Sequence, residues 1–328
     1  MNILVTGGAG YIGSALVQRL CGIGHSVTVL DNLLTGTKSS VDGRAIFVEG
    51  DVRNVALVEE LFRSNKFDVV FHLAAISTVD GGSSDLIEQV NVVGSINILQ
   101  AACMSGVKKF IFTSSSSVYG DTDVPQISEE YCTAPVSDYG LSKLRFENLL
   151  RIHVENSQCM KHVILRLFNV AGALLTVGEI GAARKSHLIP ILVDRAEDGE
   201  PFKIFGDNHP TPDGTCVRDY IALSMVVEAH VTAMDKSRIL SQRTINVGTG
   251  VGTSVREMIS LVEAHLKLEI NVEVVSPREG DPPSSVADIE LFTKELDPVP
   301  GYTWTIERII ESTARWLSSG WATSGAGR

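Results

Sequence analysis

A tyrosine and a lysine stand four residues apart in Tyr139-Gly-Leu-Ser-Lys143. That spacing sets a phenol and an ammonium on one face of a helix. A lysine cation beside a phenol favours the phenolate. Bringing a tyrosine pKa from about 10 toward 7 takes roughly 4 kcal/mol of differential stabilisation, within reach of close cations in a partly dry site. The product is a general base usable at neutral pH. Upstream, Thr113-Ser-Ser-Ser-Ser-Val-Tyr-Gly120 sets a row of hydroxyls at the end of an apolar run. Ser115 is the expected hydroxyl for orienting an alcohol under oxidation. Ser114, Ser116 and Ser117 are expected to cap or line the loop. The combined chemistry is proton abstraction from an alcohol.

Such a reaction needs a hydride acceptor, and the start of the chain is built to hold one. Asn2-Ile-Leu-Val-Thr6 reads as a buried strand and leads into Gly7, Gly10 and Gly13, spaced three apart, before a helix. Gly7 permits a tight turn, Gly10 lets backbone N–H groups approach a pyrophosphate, and Gly13 lets the helix pack closely on the sheet. Asp31 ends the next apolar run, Val27-Thr-Val-Leu30. A carboxylate there accepts hydrogen bonds from an adenosine ribose and repels a 2′-phosphate, so NAD is expected rather than NADP. A cationic nicotinamide near Tyr139 would further favour phenolate.

Short β-rich runs recur at Ile3–Thr6, Val27–Leu30, Ala45–Val48, Val69–Phe71, Phe110–Thr113 and Val163–Leu167. Helix-like stretches lie between them at Ala56–Phe62, Leu86–Met104 and Leu141–Val154. This alternation predicts an α/β fold: a Rossmann-type, doubly wound parallel sheet with helices on both faces. After Asn169 the rhythm breaks into shorter segments and a polar loop from Asp207 to Gly214. Residues 1–172 with about 215–248 are expected to form the NAD-binding domain, Thr244–Val247 returning a strand to its sheet. Residues about 173–214 with 249–328 are expected to form a smaller, discontinuous C-terminal substrate lobe. Ala322 to Arg328 reads as a frayed tail.

The net charge of −11 argues against nucleic acid or an anionic membrane as partner, since both favour basic surfaces. An anionic substrate would therefore need local arginines or lysines. Five cysteines (Cys21, Cys103, Cys132, Cys159 and Cys216) are odd in number and lack metal-ligand spacing. With no segment suited to spanning a bilayer, a reducing, cytoplasmic setting is expected.

Further motifs narrow the reading. They are His72-x-Ala-Ala75, Asn91-Val-x-Gly94, Phe168-Asn169-x-x-Gly172, Arg278-Glu-Gly-Asp281 and Ala287-Asp288. The most discriminating is Pro210-Thr-Pro-Asp-Gly-Thr-Cys-Val-Arg-Asp-Tyr220. Together with the glycine loop and the Tyr139/Lys143 pair, they make nearly the whole chain resemble the extended short-chain dehydrogenases/reductases, specifically the UDP-glucose/UDP-galactose 4-epimerase family. The resemblance implies NAD contacts at Gly7, Gly10, Tyr11, Ile12 and Gly13 in the first loop. It implies others at Asp31, Asn32, Asp51, Val52, Leu73, Ala74, Ala75, Asn91, Tyr139, Lys143 and Phe168. Nucleotide-sugar contacts are implied at Ser115, Asn169, Leu188, Arg218, Arg278 and Ser285. The arginines suit a diphosphate on chemical grounds as well. A homodimer built from the helices around Leu86–Met104 and Leu141–Val154 is also implied.

The chain departs from that family at four places. Leu167 stands where tyrosine usually precedes the Phe-Asn pair, and Ser77 where some members have lysine. The segment Ala182-Ala-Arg-Lys185 is basic where relatives are often acidic. Ser285 replaces a tyrosine found in members restricted to glucose and galactose, which leaves room for an N-acetyl group unless the prolines of Pro282-Pro-Ser-Ser-Val286 reroute the backbone. The expected reaction is inversion at C4 of a UDP-sugar through a transient 4-keto form. An epimerase of an unusual nucleotide sugar, a 4,6-dehydratase and a non-catalytic NAD-binding module are the alternatives. Elimination adds an Asp-Glu acid–base pair after the catalytic hydroxyl, where this chain has Ser116 and Ser117.

Overall fold

The computed structural model describes residues 1–76, 83–157, 160–174, 187–235, 243–278, 280–296 and 305–319. Ser77, Cys159, the 182–185 segment and the C-terminal tail lie outside the described residues. The chain opens with β1 (Asn2–Thr6), α1 (Tyr11–Gly22), β2 (Ser26–Asp31), β3 (Ile46–Glu49), α2 (Val55–Ser64) and β4 (Val69–His72). There follow α3 (Ser84–Glu88), α4 (Ser95–Met104), β5 (Lys109–Ser115), α5 (Asp138–Ser157) and β6 (Lys161–Leu167). Further on come β7 (Asn169–Ala171), α6 (Leu188–Asp198), β8 (Phe202–Phe205), β9 (Val217–Ala222), α7 (Leu223–Met234) and β10 (Arg243–Val247). The last elements are β11 (Gly252–Ser254), α8 (Val255–Leu266), β12 (Val272–Val275), β13 (Ser284–Ser285) and α9 (Ile306–Ser318).

Seven strands form one sheet in the order β10-β6-β5-β4-β1-β2-β3, and all neighbours run parallel. Parallel strands buried on both faces must be apolar on both sides, which explains the nearly continuous runs of Val, Ile and Leu. Alternate residues of β1 serve opposite cores. Ile3 and Val5 pack with Leu16 and Val227 under α1 and α7. Leu4 packs with Val70, Phe112 and Phe146 under α2, α4 and α5. Strand order reverses at β1, which lies between β2 and β4, and that switch point is where such sheets hold ligands.

The smaller lobe combines a four-stranded sheet with a two-stranded one. Strand β9 pairs with β7, β11 and β13, and β8 pairs with β12. Helices α6, α8 and α9 close it around Ile189, Leu192, Met258, Val262 and Ile310. Ser254 and Glu257 form a reciprocal capping box at the start of α8. Within the expected 215–248 segment, β9 runs in this smaller sheet, whereas α7 packs on α1 and β10 completes the main sheet beside β6.

The six strands expected in the first half all form, as do the helices over Ala56–Phe62 and Leu141–Val154. The stretch Leu86–Met104, expected as one helix, is instead interrupted by a π-helical segment over Gln89–Gly94. The segment is anchored from outside the helix. The Ser95 hydroxyl donates to the Asn91 carbonyl at 2.6 Å, and the Asn91 amide turns away to bond the Ile76 backbone. Among the described residues, no helix is long and apolar enough to cross a membrane.

Candidate active site

A cavity of about 500 Å³ opens along the carboxyl ends of the main strands, within the usual range for small-molecule sites. Its floor is the first glycine turn. Gly7 adopts a φ of +73°, and a Cβ there would lie 2.7 Å from the Ala74 nitrogen. A Cβ at Gly13 would lie 2.1 Å from the Gly7 carbonyl oxygen, so the start of α1 can approach the turn only as glycine. A Cβ at Gly10 would meet only the Gly7 oxygen, at 3.3 Å. Helix α1 has no side-chain cap at Gly10, so its first-turn N–H groups are available to an anion in the cavity.

Asp31 lies at the end of β2 on the same wall, where its carboxylate accepts from the backbone N–H groups of Ala9 and Leu33 at 2.9 and 2.8 Å. These bonds aim a fixed negative group toward the glycine turn. Uncapped amides for a pyrophosphate and a carboxylate for a ribose suit NAD. The cavity wall also includes Tyr11, Ile12, Asn32, Val52, Leu73, Ala74, Ala75 and Phe168. The Tyr11 hydroxyl donates to the Gly172 carbonyl and ties the first turn to the approach to the smaller lobe.

Two expected cofactor contacts stand behind this wall. The Asp51 carboxylate is held by the Arg53 guanidinium at 2.8 and 2.9 Å and by the Asn32 amide at 2.9 Å. The Arg53 hydrogen bond is the main reason its pKa falls to about 2. Asn91 is buried, and its side-chain amide bonds both the N–H and the C=O of Ile76. It also donates to Ser142 at 2.9 Å, and Ser142 donates to the Tyr139 carbonyl at 2.8 Å. Asn91 therefore braces the turn of α5 that carries the tyrosine.

Ser115, Tyr139 and Lys143 meet on the opposite wall. Ser115 ends β5, and its hydroxyl donates to Ser117 Oγ at 3.1 Å and accepts from Ser117 N–H at 3.2 Å. Lys143 is buried, with its Nζ donating to the Thr113 carbonyl at 2.9 Å. The same Nζ lies 5.7 Å from the Tyr139 ring centroid and 4.9 Å from that of Phe112. Burial lowers the Lys143 pKa from 10.5 to about 7, with the Glu147 carboxylate opposing the shift. Leu167, the departure beside the Phe-Asn pair, also lines this wall.

The expected sugar contacts extend toward the smaller lobe. Asn169 lines both the cavity and an annex that Leu188 helps to form. His187 lines both spaces too, with its ring 5.9 Å from Tyr11. Its signal in the sequence is its place as a polar residue just before the Leu-Ile-Pro start of α6. Arg218, Arg278 and Ser285 lie beyond the cavity wall. Arg218 pairs with Asp281, and Arg278 stacks at 3.7 Å over Phe205. The charges of both arginines act on Cys216, whose thiol is nevertheless pushed up by burial. Ser285 is buried in β13, in register with Arg218 of β9.

Fold and site thus define a Rossmann-type dinucleotide-binding protein that sets a tyrosine–lysine pair and a serine hydroxyl on one cavity wall. Residues 3–248 match the model of the NAD dependent epimerase/dehydratase family, and the chain belongs to that family. It is 36% identical over 323 residues to the UDP-glucose 4-epimerase of Corynebacterium glutamicum, covering 97% of this chain and 96% of that relative. The solved UDP-glucose-4-epimerase of Stenotrophomonas maltophila, with bound NAD and formylated UDP-arabinopyranose, superposes with a TM-score of 0.89. It shares 33% identity, and the match covers 100% of both chains. The UDP-Glc/GlcNAc 4-epimerase of Campylobacter jejuni superposes with a TM-score of 0.83 at 32% identity, over 97% of this chain and 99% of that one.

Proposed function

We propose that this chain is an NAD-dependent nucleotide-sugar 4-epimerase that interconverts UDP-glucose and UDP-galactose through a transient 4-keto sugar. We further propose that it takes UDP-GlcNAc and UDP-GalNAc. The observation that carries the reading is a single cavity in which Ser115, Tyr139 and Lys143 face the glycine turn and Asp31. Bound NAD would supply the hydride acceptor and donor for C4 of the sugar. Tyr139 takes the proton of the 4-hydroxyl on oxidation and returns it on reduction. Ser115 orients the sugar oxygen. Lys143, anchored on Thr113, supplies the positive charge that favours the phenolate. Asn169 and Leu188 border the sugar, while Arg218 and Arg278 neutralise its diphosphate.

A 4,6-dehydratase would need an acid–base pair directly after the catalytic hydroxyl, and Ser116 and Ser117 offer none. A binding module would have no use for the Tyr139/Lys143 pair. The decisive experiment incubates purified protein with a panel of UDP- and dTDP-sugars without added NAD. Formation of the C4 epimer of UDP-galactose is expected, and 4-keto-6-deoxy products would favour the dehydratase instead. No conversion anywhere in the panel would remove the epimerase reading.

The proposal includes a homodimer in which α4 and α5 of each subunit form a four-helix bundle. Leu141, Leu149 and Ile152 of α5 are exposed in the single chain, as is Met104 at the end of α4. A monomer in sedimentation at micromolar concentration would overturn it. A cytoplasmic location is proposed from the cysteine pattern, and Cys21, Cys132 and Cys216 are free thiols.

A further inference from the structure

Beneath the site lies a buried charged cluster that the proposed chemistry does not use. Glu147 is fully buried on α5, one turn beyond Lys143 and two turns beyond Tyr139, on the same helix face. Its Oε1 accepts from Ser114 Oγ at 2.6 Å and from Arg166 Nε at 2.9 Å. Its Oε2 accepts from Arg166 Nη2 at 2.6 Å and Arg151 Nη2 at 2.9 Å. The arginine fork thus meets the carboxylate face on, a geometry that fixes orientation as well as distance.

The strand register gives this cluster a purpose. Ser114 of β5 lies opposite Arg166 of β6, and both reach the same carboxylate oxygen. Lys143 and Glu147, four residues apart on α5, grip consecutive residues of β5: Lys143 bonds the Thr113 carbonyl and Glu147 takes the Ser114 hydroxyl. The next residue is Ser115. On its far side, the Arg166 guanidinium lies 4.8 Å from the Tyr119 ring centroid, and the Tyr119 hydroxyl donates to Asn246 at 2.6 Å. One ion pair therefore braces the chain before and after the catalytic serine. A buried ion pair is a weak device for stability, because a well-packed apolar pair often does as well. Its position beside three reacting side chains calls for another explanation.

We propose that Glu147 is a positioning residue: clamped by Arg166, its carboxylate locks α5 onto β5 through Ser114 and so holds Tyr139 and Lys143 in reach of Ser115. This rests on the epimerase reading for its kinetic consequence, but not for its structural one. A change in charge at Glu147 acts on groups from several elements. Lys143 and Tyr139 share its helix, Arg166 faces it from β6, and Arg151 approaches from the next turn of α5. His72, on β4, also lies within the field of Lys143. Burial opposes ionisation of Glu147, and Arg166 more than offsets it, so its carboxyl stays below the ordinary range.

Two variants test the clamp. Ser114→Ala removes one hydrogen bond and leaves the Glu147–Arg166 pair in place. Glu147→Gln keeps the shape and removes the charge. With both variants folded and carrying NAD, kcat is expected to fall about tenfold or more while KM stays within about twofold, as for lost placement. In Glu147→Gln, Lys143 loses its negative neighbour and titrates at lower pH, so less ammonium remains near neutrality to favour the Tyr139 phenolate. The acid limb of the pH–rate profile, set by the Tyr139 phenolate, then moves toward alkaline pH. A merely structural role would not move it.

A second readout needs no substrate. The near-ultraviolet difference absorbance between each protein and its Tyr139→Phe counterpart reports the Tyr139 phenolate, and its midpoint should rise in Glu147→Gln. If no sugar in the panel is converted, the epimerase reading fails while this titration still decides the clamp. If Glu147→Gln does not fold, Ser114→Ala decides it through the kcat–KM split. Wild-type kcat in Ser114→Ala overturns the proposal, as does an unmoved phenolate midpoint in folded Glu147→Gln.

Discussion

Replacing Lys143 by methionine should make the NAD-free protein more stable near neutral pH, and the advantage should fade as pH rises. Lys143 is 3% exposed, and burial takes its pKa from 10.5 to about 7. A drop of that size corresponds to roughly 5 kcal/mol of differential stabilisation between the two protonation states. The sign follows from proton binding. Below about 7 the folded and unfolded chains both carry the proton, and the folded chain bears the whole cost of a buried ammonium. Between about 7 and 10.5 the unfolded chain binds a proton that the folded chain does not, so stability rises with pH. Above 10.5 the cost is gone.

The slope in that window is about 1.4 kcal/mol per pH unit, so wild type should gain on Lys143→Met by about 3 kcal/mol between pH 7 and about 9.5. Urea unfolding of both proteins, followed by circular dichroism across that range, measures the difference. Carrying Tyr139→Phe in both proteins removes the neighbour whose titration Lys143 itself shifts, and the remaining titrating groups cancel. A difference that stays flat across the range would refute the reasoning, because it would mean that Lys143 keeps its ammonium in the folded state. The same value has a catalytic meaning. A lysine half-charged near neutrality responds strongly to its neighbours, so a bound diphosphate would restore its charge where the phenolate needs it.

Tyr139→Phe should fold and retain NAD, yet lose about 10²–10⁴-fold in kcat, the range for removing a general acid–base group; near-normal turnover would reassign the base. Gly13→Ala should abolish copurification of NAD, because the added Cβ would lie 2.1 Å from the Gly7 oxygen and push α1 off the turn; acid release and chromatography should find close to one dinucleotide per chain in wild type and far less in the variant. Ser285→Tyr should lower kcat/KM for UDP-GlcNAc while sparing UDP-glucose. An unchanged ratio between the two sugars would eliminate position 285 as a size gate.

What could be read from the sequence, and what could not, divides by the range of the forces involved. The strands were legible because burial on both faces demands apolar runs, and Tyr139 with Lys143 because a four-residue spacing is settled within one helix. The glycine turn was legible because its constraint is steric and local. The break at Gln89–Gly94 was not, since it depends on Asn91 reaching the Ile76 backbone across the fold. Nor was the Glu147–Arg166 clamp, because one glutamate within a long helix carries no signal until β6 brings the arginine beneath it. Arg218 is the most instructive case. Its charge suited a diphosphate, but the fold pairs it with Asp281, 63 residues away. Arg218 is largely buried, with 13% of its side chain exposed, whereas Asp281 retains 33%. On the proposed reading, an incoming diphosphate would meet a guanidinium already partnered by a carboxylate, and its binding would be an exchange of one anion for another. The aspartate is the more exposed partner and can turn to water at low cost. The pair thus spares the buried arginine an unpaired charge and, on that reading, would leave it available to a doubly charged ligand.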